Sequence, residues 1–166
     1  MRPLLTILII FFLSSCISKK TAFTCGTYLI PEKEWIDSKI TNLQTTGIAD
    51  TTVAYVNGHV LGLRIQNDST YLDTLAFTAI EFKHHQDTVS TGTVAQVHGV
   101  YNTTLDTGIY DIRINFVGYN TLTLENFKLG AGEIKELNVI LGQGHGTTEY
   151  FITKNNSFVR RTKKKD

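Results

Sequence analysis

Proline is scarce in this chain, with two among 166 residues. Charge of one sign is lacking too: 16 Lys and Arg stand against 15 Asp and Glu, a formal charge of +1. That balance gives no global electrostatic case for binding nucleic acid. The apolar stretch Leu4 to Leu13, broken by Thr6, is about half the roughly twenty residues a membrane-spanning helix needs. The nucleophile elbow Gly-x-Ser-x-Gly does not occur, which removes one route to a serine hydrolase. No internal repeat is evident. What is plentiful is Thr, Val, Ile, Tyr, Phe and Gly, the mix of a strand-rich chain. The length fits one domain with extra segments at its ends.

The N-terminus reads as an address. Arg2 gives a positive start, Leu4 to Leu13 an apolar core of signal-peptide length, and Leu13-Ser14-Ser15-Cys16 follows directly. These four residues resemble a bacterial lipobox, in which small residues precede a cysteine whose thiol accepts diacylglycerol. The resemblance implies a signal peptide over residues 1–15, cleavage before Cys16, and lipid on that residue, usually with a third acyl chain on the new amine. Two or more chains anchor stably where one holds only marginally. Cys25 is then without a partner, so a disulfide framework is excluded. In Bacteroidota-like lipoproteins, acids soon after the cysteine favour the cell surface. Here the run is Ile17-Ser18-Lys19-Lys20, which favours an outer-membrane anchor facing the periplasm.

The mature chain divides by pattern. Residues 16–52 read as tether and linker. Within them, Pro31-Glu32-Lys33-Glu34 resembles a helix start, and Trp35, Ile36, Ile40 and Leu43 fit one apolar stripe. A short helix over 31–43 is expected. From Val53 the period becomes two. Asn57-Gly58 reads either as a tight turn or as a bulge. Leu75 to Phe82 is a second apolar run, and Gly99-Val100-Tyr101 opens a third. Tyr110, Ile112, Ile114 and Phe116 alternate with Asp111, Arg113 and Asn115, the clearest strand in the chain. Leu122 and Leu124, then Leu137, Val139 and Leu141, repeat the alternation. Short strands at these intervals indicate an all-β sandwich or barrel. Gly142, Gly144 and Gly146 suggest a flexible exit, and residues 143–166 read as a flexible basic tail. Tyr150-Phe151-Ile152 and Phe158-Val159 suit a last strand or hairpin.

The stretch Gly108-Ile109-Tyr110 through Val117-Gly118-Tyr119 resembles the centre of a carboxypeptidase regulatory-like domain, where Gly-x-Tyr opens a strand that ends in a Gly-Tyr corner. Gly58-His59-Val60 is similar to the opening strand of that family. Gly99-Val100-Tyr101 sits where the family has Gly-x-Phe or Gly-x-Tyr, although Gln96-Val97-His98 replaces the acid usual before that glycine. The resemblance covers residues 53–142. It implies a seven-stranded transthyretin-like β-sandwich that serves as a non-catalytic accessory module, with no cofactor. The residues it marks as structural are Gly58, Gly99, Gly108, Tyr110, Gly118 and Tyr119.

Candidates for chemistry are few. His84 and His85 are adjacent and point to opposite faces of a strand, so both cannot readily serve one metal. His98 could approach one of them from a neighbouring strand, but solvated or edge histidines and no metal are expected. Cys25 lacks the electropositive setting of a reactive thiol. A relative that hydrolyses 5-hydroxyisourate ends in Tyr-Arg-Gly-Ser, and this chain does not. Thr51, Ser69, Thr74 and Thr88 each follow an aspartate in a pattern that resembles the O-glycosylation signal of Bacteroidota; local turn chemistry accounts for it equally. Five of the last seven residues are Lys or Arg, suited to anionic headgroups or to a solvated end. The expected function is a membrane-anchored envelope module that meets a protein partner and is not an enzyme. The alternative is a carbohydrate-binding module using Trp35, Tyr55, Tyr71 or Tyr101. Nucleic acid is not an expected partner.

Overall fold

The computed structural model describes residues 35–161. Cys16, Cys25, the first residues of the expected helix and the last five residues lie outside that range. Among the described residues there are eleven strands and no helix. In chain order they are β1 (Lys39–Ile48), β2 (Ala54–Gln66), β3 (Ser69–Thr74), β4 (Ala79–His84), β5 (Thr91–Val94) and β6 (Val100–Leu105). Then follow β7 (Gly108–Asn115), β8 (Thr121–Leu129), β9 (Glu133–Gly142), β10 (Thr147–Ile152) and β11 (Phe158–Arg160). They form two sheets. One runs β1-β9-β2-β3, with β6 also on β2; the other runs β11-β10-β8-β7-β4-β5. The sheets are packed as a sandwich, so the expected all-β architecture holds, with eleven strands where seven were expected.

Period-two patterning builds the core. Along β7, Tyr110, Ile112 and Ile114 are buried while Asp111 and Arg113 face out. On β2 the buried set is Ala54, Val56, Gly58, Val60 and Gly62. Leu137, Val139 and Leu141 of β9 join them against Ile80, Phe82, Leu122 and Leu124 of the other sheet. The alternation breaks once on β8, where one extra residue separates the partners of Tyr110 and Ile112. Asn126 there has φ +63, and its N–H donates to Asp111 Oδ1 at 3.2 Å. This bulge moves the inward phase from Leu122 and Leu124 to Phe127 and Leu129.

The expected helix over 31–43 is not formed in its described part. Residues 35–38 have no regular structure, and β1 begins at Lys39. Ile40 and Leu43 lie opposite Val139 and Leu137 on β9, three residues against two, because a register shift intervenes. A bulge therefore produced the three-residue spacing that resembles a helical stripe. The sandwich also exceeds the expected limits of 53–142. β1 is its edge on the N-terminal side, and β10 runs parallel to β8 with β11 hairpinned outside it.

Asn57-Gly58 is neither turn nor bulge tip; both residues lie inside β2. The hairpin turn falls at Asn67-Asp68, with φ of 51° and 58°, the pair of left-handed residues a type I′ turn requires. At Gly58 the ladder between β2 and β9 opens: Asn57 pairs with Glu136 and Val60 with Val139, with nothing paired between. Side chains fill the gap. His59 N–H donates to Asn138 Oδ1 at 2.8 Å. The Tyr101 hydroxyl, from a fully buried ring, donates to the Leu137 carbonyl at 2.8 Å. A Cβ on Gly58 would fall on that same carbonyl and against the Tyr101 ring.

Both ends of the described chain meet in one polar knot. Ser38 Oγ donates to the Asn120 carbonyl at 2.8 Å and accepts Gly142 N–H at 3.0 Å. Asn120 Nδ2 donates to the Ile36 carbonyl at 2.8 Å, and its Oδ1 accepts Gly146 N–H. Ser38 N–H donates to Thr148 Oγ1 at 3.1 Å. Ser38, Asn120 and Thr148 are all buried. Every buried side-chain nitrogen and oxygen among the described residues has a partner, as stable interiors require.

Candidate functional site

The connection from β3 to β4 holds the most unusual residue of the surface. Leu75 and Thr78 are buried, and Thr78 Oγ1 donates to the Leu75 carbonyl at 2.9 Å. Phe77 N–H donates to the Ala95 carbonyl at 2.8 Å, and Ala95 N–H to the Thr78 carbonyl at 2.9 Å. Pinned on both sides, Phe77 takes φ +62 and leaves its ring 71% exposed. For a bulky residue this left-handed backbone costs about 1–2 kcal/mol. Strain of this kind persists only where the surroundings impose it.

Neighbouring segments add to the exposed apolar surface. Gln96 N–H donates to the Val100 carbonyl and Val60 N–H to the Gly99 carbonyl, both at 2.8 Å. These bonds set the 94–100 turn beside the Phe77 loop, with Val94, Val97 and Val100 exposed. Exposed apolar side chains gathered on adjoining segments make this end a candidate contact site.

A second feature is a cleft of about 280 Å³ at one end of the sandwich, lined by His84, Asp87, Asp106 and Tyr110 among others. His84 Nδ1 stands 3.4 Å from Asp87 Oδ2, and its ring centroid is 4.9 Å from that of Tyr110. The Tyr110 hydroxyl donates to the Asp106 carbonyl at 3.0 Å. Burial, then Asp106 and Asp87, push the Tyr110 pKa up. His84 Nδ1 also accepts from Gln86 N–H at 3.3 Å.

The residues marked from the sequence are dispersed by the fold. Gly58, Gly99 and Gly108 lie at close approaches: to Leu137, to the Val60 carbonyl and to the His84 ring. Gly118, with φ +84, is the third residue of a turn closed by Tyr119 N–H on the Phe116 carbonyl at 3.1 Å, the position where a type II turn needs glycine. Tyr119 packs its ring against the core, with Phe116 edge-on at 5.8 Å between centroids. Ser69, Thr74 and Thr88 are exposed, and Thr51 is half-buried.

Two expectations need correction. His98 approaches neither His84 nor His85; its carbonyl accepts from His59 Nε2 at 2.6 Å. His85 turns instead to Asp111, at 2.9 Å. The proposed aromatic set also fails to share a face. Tyr101 is fully buried, Trp35 stands edge-on to His145, and Tyr71 lies under the Arg64 guanidinium with 5.2 Å to its ring centroid. Only Tyr55 of the four lies on the outer face of the first sheet.

In the sequence Phe77 is masked by its place inside the apolar run Leu75–Phe82. Its phase was the available signal: with Ile80 and Phe82 inward, position 77 falls on the outward alternation.

Among the described residues no group of three or more His, Cys, Asp or Glu side chains is placed to hold a metal ion, and no helix is long and apolar enough to cross a membrane. Fold and surface define an all-β sandwich with an exposed, strained aromatic tip. The chain matches no family model, no curated protein and no solved structure.

Proposed function

We propose that the protein is a non-enzymatic module of the cell envelope, held to a membrane by lipid on Cys16, that offers the Phe77 tip to a protein partner. The observation that carries this reading is the Phe77 ring, kept in solvent at φ +62 by backbone bonds on both sides. A backbone fixed before contact loses little entropy on binding, and an exposed aromatic carried on it makes an effective anchor. The sandwich is of the transthyretin-like, carboxypeptidase regulatory-like kind, a reading supported by the strand from Gly108 and the turn at Gly118. The anchor belongs to the lipobox residues, and the periplasmic face of the outer membrane to the absence of acids after Cys16.

In-cell crosslinking of the tagged chain, with mass spectrometry of the adducts, tests this. A discrete envelope protein should be recovered, and it should be lost in Phe77→Asn, a residue that tolerates the left-handed backbone. Cys16→Ser should abolish fatty-acid labelling and release the chain from membranes. A crosslinking pattern unchanged by Phe77→Asn would refute the tip as the contact, and membrane retention of the Cys16→Ser chain would refute the anchor.

A further inference from the structure

The outer face of the first sheet carries a band of polar side chains between apolar ones. Cross-strand register places Gln44 opposite Glu136, Glu136 opposite Asn57, and Asn57 opposite Asn102. One row thus crosses four strands, about 14 Å at ordinary strand spacing. Next to it, Asn42 lies opposite Asn138. On the other side, Tyr55 is flanked by Ile134 and Thr104. Tyr55, Asn57, Asn102 and Thr104 line a shallow groove of about 580 Å³.

The row has two halves with different states. In one, Glu136 is already held: Gln44 Nε2 donates to Oε2 at 2.9 Å, Asn42 Nδ2 to Oε2 at 3.1 Å, and Asn138 Nδ2 to Oε1 at 2.7 Å. The Gln44 bond first, then Asn138, keeps the carboxyl below its ordinary pKa against the opposing effect of desolvation, with Asn42 adding to the lowering. In the other half, the side chains of Asn57 and Asn102 make no hydrogen bond among the described residues. They sit side by side on a rigid ladder next to an exposed tyrosine ring.

We propose that this face binds a neutral polysaccharide, laid across the strands along the Gln44–Glu136–Asn57–Asn102 row with a sugar ring stacked on Tyr55. A planar amide offers a donor and an acceptor together, which matches neighbouring hydroxyls of a sugar. A tyrosine ring offers a flat apolar surface with a polar tip. The charge of the face selects the occupant further. Glu136 is its one charged side chain in these rows, and it is anionic, so phosphorylated or sulfated chains are repelled. The 14 Å length of the row suits several linked sugars rather than one.

The test is electrophoresis of the full chain in non-ionic detergent through native gels carrying glucan, xylan, mannan or galactan. At least one should retard the protein. Tyr55→Ala and Asn57→Ala should each weaken the retardation about tenfold, the loss expected of one stacking or hydrogen-bonding contact. Asn102→Ala, on the exposed neighbouring strand, gives an independent variant should either of these fail to fold by its melting curve. Phe77→Asn should leave retardation unchanged, which separates this face from the protein-binding tip. Absence of retardation by all four polysaccharides, or retardation equal in wild type and the folded variants, would overturn the proposal.

Discussion

Tyr101→Phe removes one oxygen from the centre of the molecule. The hydroxyl is the group that satisfies the Leu137 carbonyl where the β2–β9 ladder opens at Gly58. The phenylalanine ring would fill the same space, so no large cavity forms. What remains is a buried carbonyl without that donor, at a cost of about 1–3 kcal/mol. For a chain of this size that lowers Tm by roughly 2–12 °C. Alkaline pH supplies a second reading of the same group. Burial raises the Tyr101 pKa far above the ordinary value for tyrosine. Above a pH of about 10 the unfolded chain gives up this proton and the folded chain keeps it. The stabilisation is therefore complete below about pH 10 and falls as pH rises, by up to about 1.4 kcal/mol per unit. Burial also raises Tyr110, Tyr119 and Tyr150, but these are common to both proteins, so the difference isolates Tyr101. Calorimetry of both at pH 8 and pH 11 should show the gap narrowing at the higher pH. A Tm change under about 1 °C at pH 8, or a gap that widens with pH, would refute the account.

Gly58→Ala sets a Cβ against the backbone of Leu137, whereas Gly108→Ala meets only the movable His84 ring. The first should cost about 3 kcal/mol and the second about 1, by denaturant titration, with His84→Ala relieving only the second. Asn120→Ala strips two bonds from the knot at the chain ends; a loss of about 2–3 kcal/mol is expected, measured the same way. Arg161 holds Glu125 through two hydrogen bonds of 3.1 and 2.8 Å. Arg161→Ala should leave the main unfolding transition in place while trypsin cuts more rapidly near β11, seen by timed mass spectrometry.

The parts of the fold that could be read from sequence were those where one residue in two is buried without interruption. Tyr110, Ile112 and Ile114 keep strict alternation because the extra residue of the β7–β8 bulge falls on β8 and not on β7, so pattern and structure agree. Bulges obscured the rest. One in β1 spaced Ile40 and Leu43 as a helix would, and the acids of residues 32 and 34 strengthened the false reading. Gly58 signals a turn when met alone, because its real use, passing the Tyr101 hydroxyl to a distant strand, depends on residues 43 and 79 positions further along. The candidate surfaces suffered similarly. Asn57, Asn102 and Glu136 carry no motif; only the register of four strands makes them one row.

The knot at Ser38 and Asn120 has a mechanical consequence. Pull on the chain ahead of residue 36 does not first peel β1 away from β9 one bond at a time. It meets the bonds of Ile36 to Gln143 and Asn120, and of Ser38 to Asn120, Gly142 and Thr148. These partners belong to both sheets, so tension is divided between the two layers and must break several bonds together. The entry point of the described chain works as a clamp, and the sandwich can bear load at the end where residue 35 enters it.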